Sequence, residues 1–238
     1  MEPKSFDTEA REVLALLDPN GTRKKREPRP FMVELFGTSN SGKTSLLDSI
    51  YVFFKAAGFE TAKSPEGAEA VPPPRVLPFF NFMTVDYAIA NARRMSLDKN
   101  IHLGVFDRAI CDAAVRMELF KRQGIITPED QKILEAYYLN SWNRRLFDLH
   151  ICLVTNVEMA LVRKYGPDHA KKAKYSTTTN PQTMAEMLSV HQDLWERLWK
   201  DDPKMLWHDT SAETPEQTME SLKPLILLAL RQRFVQGE

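Results

Sequence analysis

Read for the spacing of apolar and polar positions alone, the chain alternates between two patterns. Phe31 to Phe36 is a short, mostly apolar run, as expected of a strand buried on both faces. From Lys43 to Ala57 the spacing becomes helical, with Leu46, Leu47, Ile50, Tyr51 and Phe54 sharing one face. Further strands are predicted at Phe59–Lys63, Ile101–Phe106, Leu149–Val154 and Met205–His208. Helical spacing returns between them. Phe82, Val85, Ile89 and Ala92 fall in register within Phe80–Met95, and Ala113, Val115, Met117 and Leu119 follow Ala109. Thr127-Pro128-Glu129-Asp130 opens a helix with a cap, a proline and two acids, and the pattern carries it to about Leu146. Asn156 caps Val157–Tyr165, which Gly166-Pro167 stops. Pro181–Lys200 and Thr214–Phe234 are the last helices, the latter with Pro224 expected to kink it. Ser5–Leu17 predicts an N-terminal helix through Ala10, Val13, Leu14 and Leu17, ended by Pro19-Asn20-Gly21.

Strand and helix therefore alternate to the end of the chain. That order predicts an α/β fold: a five-stranded parallel sheet, helices on both faces, wound by right-handed crossovers. Ligands of such sheets sit beyond the carboxyl ends of the strands. Five polar clusters fall there: Gly37–Thr44, Glu66, Asp107-Arg108, Asn156 and Asp209-Thr210-Ser211.

Composition narrows the class. The 238 residues suit one α/β domain, read as 31–238, preceded by an N-terminal helix and basic linker over 1–30. Lysine plus arginine and aspartate plus glutamate both number 32, which disfavours a general nucleic-acid or membrane-surface binder. Arg23-Lys24-Lys25-Arg26 and Arg29 read as a solvated linker, although they suit a local nucleic-acid patch as well. Cys111 and Cys152 are far apart and make no metal pattern; with no signal peptide and no run long enough to span a bilayer, a reduced cytoplasmic location is expected.

One stretch carries strong chemistry. Gly37-Thr38-Ser39-Asn40-Ser41-Gly42-Lys43-Thr44 fits the phosphate-binding pattern G-x-x-x-x-G-K-[ST], with a strand before it and a helix after it, and Ser45 continues into that helix. Its glycines permit turns that aim backbone N–H groups at phosphate oxygens, and the helix adds its N-terminal N–H groups and dipole. Lys43 would reach the β- and γ-phosphates of ATP, and the Thr44 hydroxyl would hold Mg²⁺.

With the polar strand ends, these residues resemble the deoxynucleoside kinase and thymidylate kinase group of P-loop proteins. The similarity runs from about Phe31 to Ser211 and implies a P-loop three-layer sandwich with a basic lid. In that group the second strand presents an acid to the substrate, the third ends in Glu-Arg or Asp-Arg, and adenine lies against the loop after the fifth. The resemblance thus assigns Glu66 as general base to an acceptor hydroxyl, Asp107 beside Mg²⁺, and Arg108 between donor and acceptor. It assigns Arg163, Lys171, Lys172 and Lys174 to a lid over about 163–180, and the acceptor to the helix bearing Asn81, Tyr87, Arg93 and Arg94. Ser-Pro-Glu-Gly inverts the group's Glu-Pro order, and lysines stand where the group's lid has arginines. Each residue has a plainer alternative: Glu66 a solvated turn acid, Asp107 a helix cap, Arg108 a structural ion pair, the lysines a solvated charge run. The expected activity is ATP-dependent phosphoryl transfer to a nucleoside or nucleotide; a regulatory ATPase acting through a protein partner, or a polynucleotide-end kinase, stands as the alternative. Thr155-Asn156-Val157-Glu158 lacks the guanine-reading Asn-Lys-x-Asp of GTPases, and Arg108 replaces the second acid of hydrolysis motors. Helices Phe80–Met95 and Ala109–Leu119 suit either a homodimer face or burial.

Overall fold

A computed structural model describes residues 5–17, 29–167 and 180–235. In β1 (Phe31–Gly37) every residue is buried, because alternate side chains enter different cores. Val33 and Leu35 join one apolar cluster, and Met32 and Phe36 join the other. This is why the strand reads as a continuous apolar run and not as an alternation. With β2 (Thr61–Ser64), β3 (Leu103–Asp107), β4 (Leu149–Val154) and β5 (Met205–Asp209), it forms a parallel sheet in the order β2-β3-β1-β4-β5.

Helices cover both faces. On the Val33 side pack α1 (Phe6–Leu17), α2 (Lys43–Ala56) and α10 (Pro215–Val235), burying among others Ala10, Ile50, Phe54 and Leu227. On the Met32 side pack α4 (Phe79–Ser96), α5 (Ile110–Arg122) and α9 (Pro181–Leu194), through residues such as Ala92, Val115 and Val190. Short α3 (Gly67–Ala70) follows β2. α6 (Pro128–Tyr138) and α7 (Ser141–Arg144) lead into β4, and α8 (Val157–Tyr165) leaves it. The expected three-layer α/β sandwich is what the chain forms. α5 is buried along most of its length, from Ile110 to Phe120.

Several boundaries differ from the sequence pattern. The helix expected to run from Pro128 to Leu146 is two helices, because Asn140 Oδ1 accepts the N–H groups of Trp142 and Asn143 and starts a new one. The helix expected to reach Lys200 changes to a π-helical turn at Trp195–Trp199, where Trp199 packs edge-on against Phe36 with ring centroids 5.1 Å apart. The stretch Ala68 to Pro78, whose proline and alanine content predicts a loop too apolar to be simply solvated, begins in α3; Val71 is buried, Pro72 to Leu77 is exposed, and Arg75 and Leu77 line a cavity. Arg29 is not a solvated linker residue. Its guanidinium donates to both oxygens of Asp148, at 2.6 and 2.8 Å, and Asp148 also accepts from Met32 N and Arg233 Nε. The basic tract Arg23–Arg26 and the lid residues Lys171, Lys172 and Lys174 lie outside the described residues. Both cysteines are buried free thiols, and no described helix is long and apolar enough to cross a membrane.

Candidate active site

The phosphate loop is shaped by the close approach of β1 to β4. Gly37 has φ +134°, and a Cβ there would lie 1.8 Å from the Leu153 carbonyl oxygen, so glycine alone fits. Gly42, at φ +91°, opens α2 in the left-handed region. Between them Thr38 N donates to Leu153 O, Ser41 Oγ donates to Thr38 O at 2.9 Å, and Thr155 N donates to Thr38 Oγ1 at 3.0 Å. The Lys43 ammonium folds back and donates to Thr38 O at 2.5 Å and to Ser41 Oγ at 3.3 Å. Burial, helped by nearby Arg108, lowers the Lys43 pKa to about 7. An incoming polyphosphate would reverse that imbalance by supplying the missing negative charge.

Beside the loop, Thr44 Oγ1 donates to Asp107 Oδ2 at 3.0 Å. The other Asp107 oxygen is buried with no partner among the described residues. The Thr44 hydroxyl and the Asp107 carboxylate, with its one orphaned oxygen, form a hard donor pair that fits Mg²⁺. Asp107 does not cap α5; Ala109 stands at the N-cap position of that helix, and the N–H groups of Ala109 and Cys111 point to Glu34.

The turn from β3 to α5 aims Arg108. Its φ is +68°, unusual for a side-chain-bearing residue, and its N–H donates to Leu35 O on β1. Arg108 Nε donates to Glu66 Oε1 at 2.9 Å, and Nη1 donates to Asp112 Oδ1 at 2.5 Å. Burial opposes the Arg108 charge, but Asp112, Glu66 and Asp107 outweigh it and hold the guanidinium above its ordinary pKa. Burial likewise opposes the charge of Asp112, yet Arg108 and Arg116 bring its pKa down to about 2. Glu66 stands at the N-cap position of α3, but its side chain makes no cap bond and reaches Arg108 instead. Arg108 therefore bridges the ends of β2 and β3.

Arg163, on α8, is committed to backbone and hydroxyl oxygens. It donates to Asn40 O (3.2 Å), Thr210 Oγ1 (2.9 Å), Thr210 O (2.5 Å) and Glu213 O (3.0 Å). Thr210 Oγ1 in turn lies 3.0 Å from Ser41 O. The corner after β5 is thereby tied to the phosphate loop.

Two cavities meet over the sheet. One, of about 540 Å³, is lined by Ser39 to Leu46 together with Asp107, Arg163, Thr210 and Glu213. The other, of about 640 Å³, opens between α3, α4, α5 and α9, with walls including Asn81, Thr84, Arg116, Phe120 and Met184. Ser39, Glu66 and Arg108 line both.

The structure thus brings together Gly37 to Ser45, Glu66, Asp107, Arg108 and Arg163, all singled out by the sequence. Of Asn81, Tyr87, Arg93 and Arg94, only Asn81 lines the larger cavity; Arg93 and Arg94 donate to Asn143 and Asn91. Phe80 is buried while Phe79 is exposed. His191 is fully buried, its pKa lowered to about 4 by burial, and its Nδ1 lies 2.7 Å from Met187 O. Sequence reading missed Glu34, Asp112, Arg116 and Thr155, whereas Thr210 belongs to the polar cluster expected after the fifth strand. Glu34 was visible as the one charge inside an apolar strand, and Asp112 and Arg116 as residues four and eight positions beyond Arg108, on the same helical face.

The fold and this phosphate-loop corner define a P-loop α/β protein of the nucleoside and nucleotide kinase type of architecture. No family model and no curated protein matches the chain. Among solved structures, deoxyadenosine kinase from M. mycoides with bound dCTP is similar at a TM-score of 0.56 and 18% identity, covering 82% of this chain and 98% of the other. The same enzyme with bound dATP gives 0.54 and 18%. Thymidylate kinase from Candida albicans gives 0.52 and 13%, over 84% of this chain and 92% of the other. The chain shares the fold of these kinases.

Proposed function

We propose that the chain transfers the terminal phosphoryl group of ATP to a nucleoside or nucleotide. The observation that carries this reading is the shared wall. A phosphate-binding cavity and a second cavity of nucleoside size meet at Arg108 and Glu66. A nucleotide hydrolase or switch has no need of a second chamber open to the phosphate end of the first.

In this reading the loop N–H groups and Lys43 hold the donor phosphates. Thr44 and Asp107 hold Mg²⁺, which neutralises phosphate charge when bound. Arg108, fixed by Glu66 and Asp112, steadies the phosphoryl group between the chambers, where charge spreads over its equatorial oxygens. Glu66 accepts the proton when the acceptor is a hydroxyl, exchanging part of its contact with Arg108 for that bond. Arg163 acts by holding Asn40 and the Thr210 corner, which shapes the nucleotide side. The similar solved structures, a deoxyadenosine kinase and a thymidylate kinase, support an acceptor in the nucleoside or nucleotide class.

ADP release from Mg·ATP, measured with pooled nucleosides, nucleoside monophosphates and short oligonucleotides against a no-acceptor control, tests this. Acceptor-dependent release by a nucleoside or monophosphate pool is expected. Equal release with and without acceptor would replace the kinase by an ATPase, and release driven by oligonucleotides alone would make it a polynucleotide-end kinase.

A further inference from the structure

We propose that Glu34 is a positioning residue for phosphoryl transfer, fixing the first turn of α5 and with it the aim of Arg108. The proposal rests on the phosphoryl-transfer reading above. Glu34 lies inside β1, on the face that otherwise presents Met32 and Phe36 to the core, and it is fully buried. A carboxylate there is expensive unless every lone pair is used. Its Oε1 accepts the N–H groups of Ala109 at 2.7 Å, Cys111 at 3.0 Å and Asp112 at 3.3 Å. Its Oε2 lies 2.8 Å from Nδ1 of His150, its register partner on β4, and 3.2 Å from Cys111 N.

The N-terminus of a helix, with its free N–H groups, attracts anions. In α5 that place is filled by the chain's own carboxylate, so substrate phosphate is left to the loop and to Arg108. The turn is then gripped by two consecutive residues of one strand. Leu35 O takes the Arg108 N–H, and the Glu34 carboxylate takes the N–H groups just beyond. A side-chain-bearing residue at φ +68° persists only where its surroundings over-determine it, and these bonds do so. The ligand atoms of Glu34, Cys111 and His150 lie within 4.8 Å of one another, a spacing that would also admit a metal. Both Glu34 oxygens are already taken by backbone N–H groups, however, and burial with the Glu34 charge keeps the Cys111 thiol protonated.

Glu34→Gln keeps the shape and an accepting oxygen but removes the charge. The expected result is a kcat lower by on the order of tenfold to a hundredfold, as for a small misplacement of a catalytic group, with Mg·ATP affinity within about twofold of wild type. Combined with Arg108→Ala, it should cause less than about a twofold further loss, because its effect passes through Arg108. An unchanged kcat per nucleotide-binding molecule, or full additivity with Arg108→Ala, overturns the proposal. If Glu34→Gln folds poorly, His150→Leu provides the same test: a severalfold lower kcat supports it, and an unchanged one refutes it. Stoichiometric zinc in the wild-type chain that disappears from Glu34→Gln would make the cluster a metal site instead. A wild-type chain with no turnover, with acceptors or with water, refutes the kinase reading and this proposal together; an active wild type with an unaffected Glu34→Gln refutes positioning alone.

Discussion

The two chambers of the site are built from different materials. The phosphate side is made of backbone: a glycine pressed against β4, a left-handed glycine opening α2, and a loop closed by its own carbonyls. The second chamber, the proposed acceptor side, is made of side chains from four separate helices, among them Asn81, Thr84, Arg116 and Met184. A backbone-made site needs particular residues at fixed spacing and has little latitude. A side-chain-made site can be rebuilt by many residues at many positions. Substitutions should therefore act differently on the two sides, and the size of each effect tests where the boundary lies.

The largest effect is expected on the phosphate side. Lys43→Ala should lower turnover roughly 10²- to 10⁴-fold, by loss of the charge that neutralises the transferring group. Full activity in that variant would remove the loop from the mechanism. On the wall between the chambers, Glu66→Gln should lower kcat on a hydroxyl acceptor by about 10²-fold, with ATP affinity nearly unchanged. Equal loss of ATP binding, measured by titration, would show that Glu66 supports the phosphate side instead of acting as a base.

On the acceptor side, a Cβ on Gly67 would lie 2.7 Å from both Thr84 O and Thr84 Cβ, so Gly67→Ala must push α3 away from α4. The acceptor KM should rise severalfold, about 1 kcal/mol, while the KM for ATP stays constant. A matching change in both would mean the chambers are mechanically one.

Without any substitution, a pH dependence confined to the phosphate side is also expected. The free-protein pKa of Lys43 is lowered to about 7, and bound phosphate must raise it. Proton uptake then accompanies binding, so Mg·ATP affinity should be highest below pH 7 and decline as pH rises above it, by at most tenfold per unit. Calorimetry at pH 8 in buffers of different ionisation enthalpy should show uptake of a fraction of a proton; none would mean that Lys43 is charged before ATP arrives.

The same contrast explains what could be read from the sequence. The alternation of strands and helices along the chain, the phosphate-loop pattern and Asp107-Arg108 were legible because they obey local rules of period and spacing. Asn140 and Trp195–Trp199 were not: each interrupts a helical pattern that continues in the apolar residues, for a capping or packing reason visible only in three dimensions. Arg163 was assigned to a lid by resemblance, but its hydrogen bonds run to Asn40, Thr210 and Glu213, partners distant in sequence. Arg116 and Asp112 needed the position of α5 before their place in the wall of the second cavity had meaning.

The central claim is that a phosphoryl group crosses from one chamber to the other at Arg108. The most direct test follows the label from γ-³²P-ATP, with Mg²⁺, in wild type and Arg108→Ala over a panel of nucleosides and nucleoside monophosphates. The account predicts labelled acceptor from wild type and a loss of that product on the order of 10²-fold or more in Arg108→Ala, while ATP binding persists. Label recovered only as inorganic phosphate, at the same rate with and without acceptors, would contradict it.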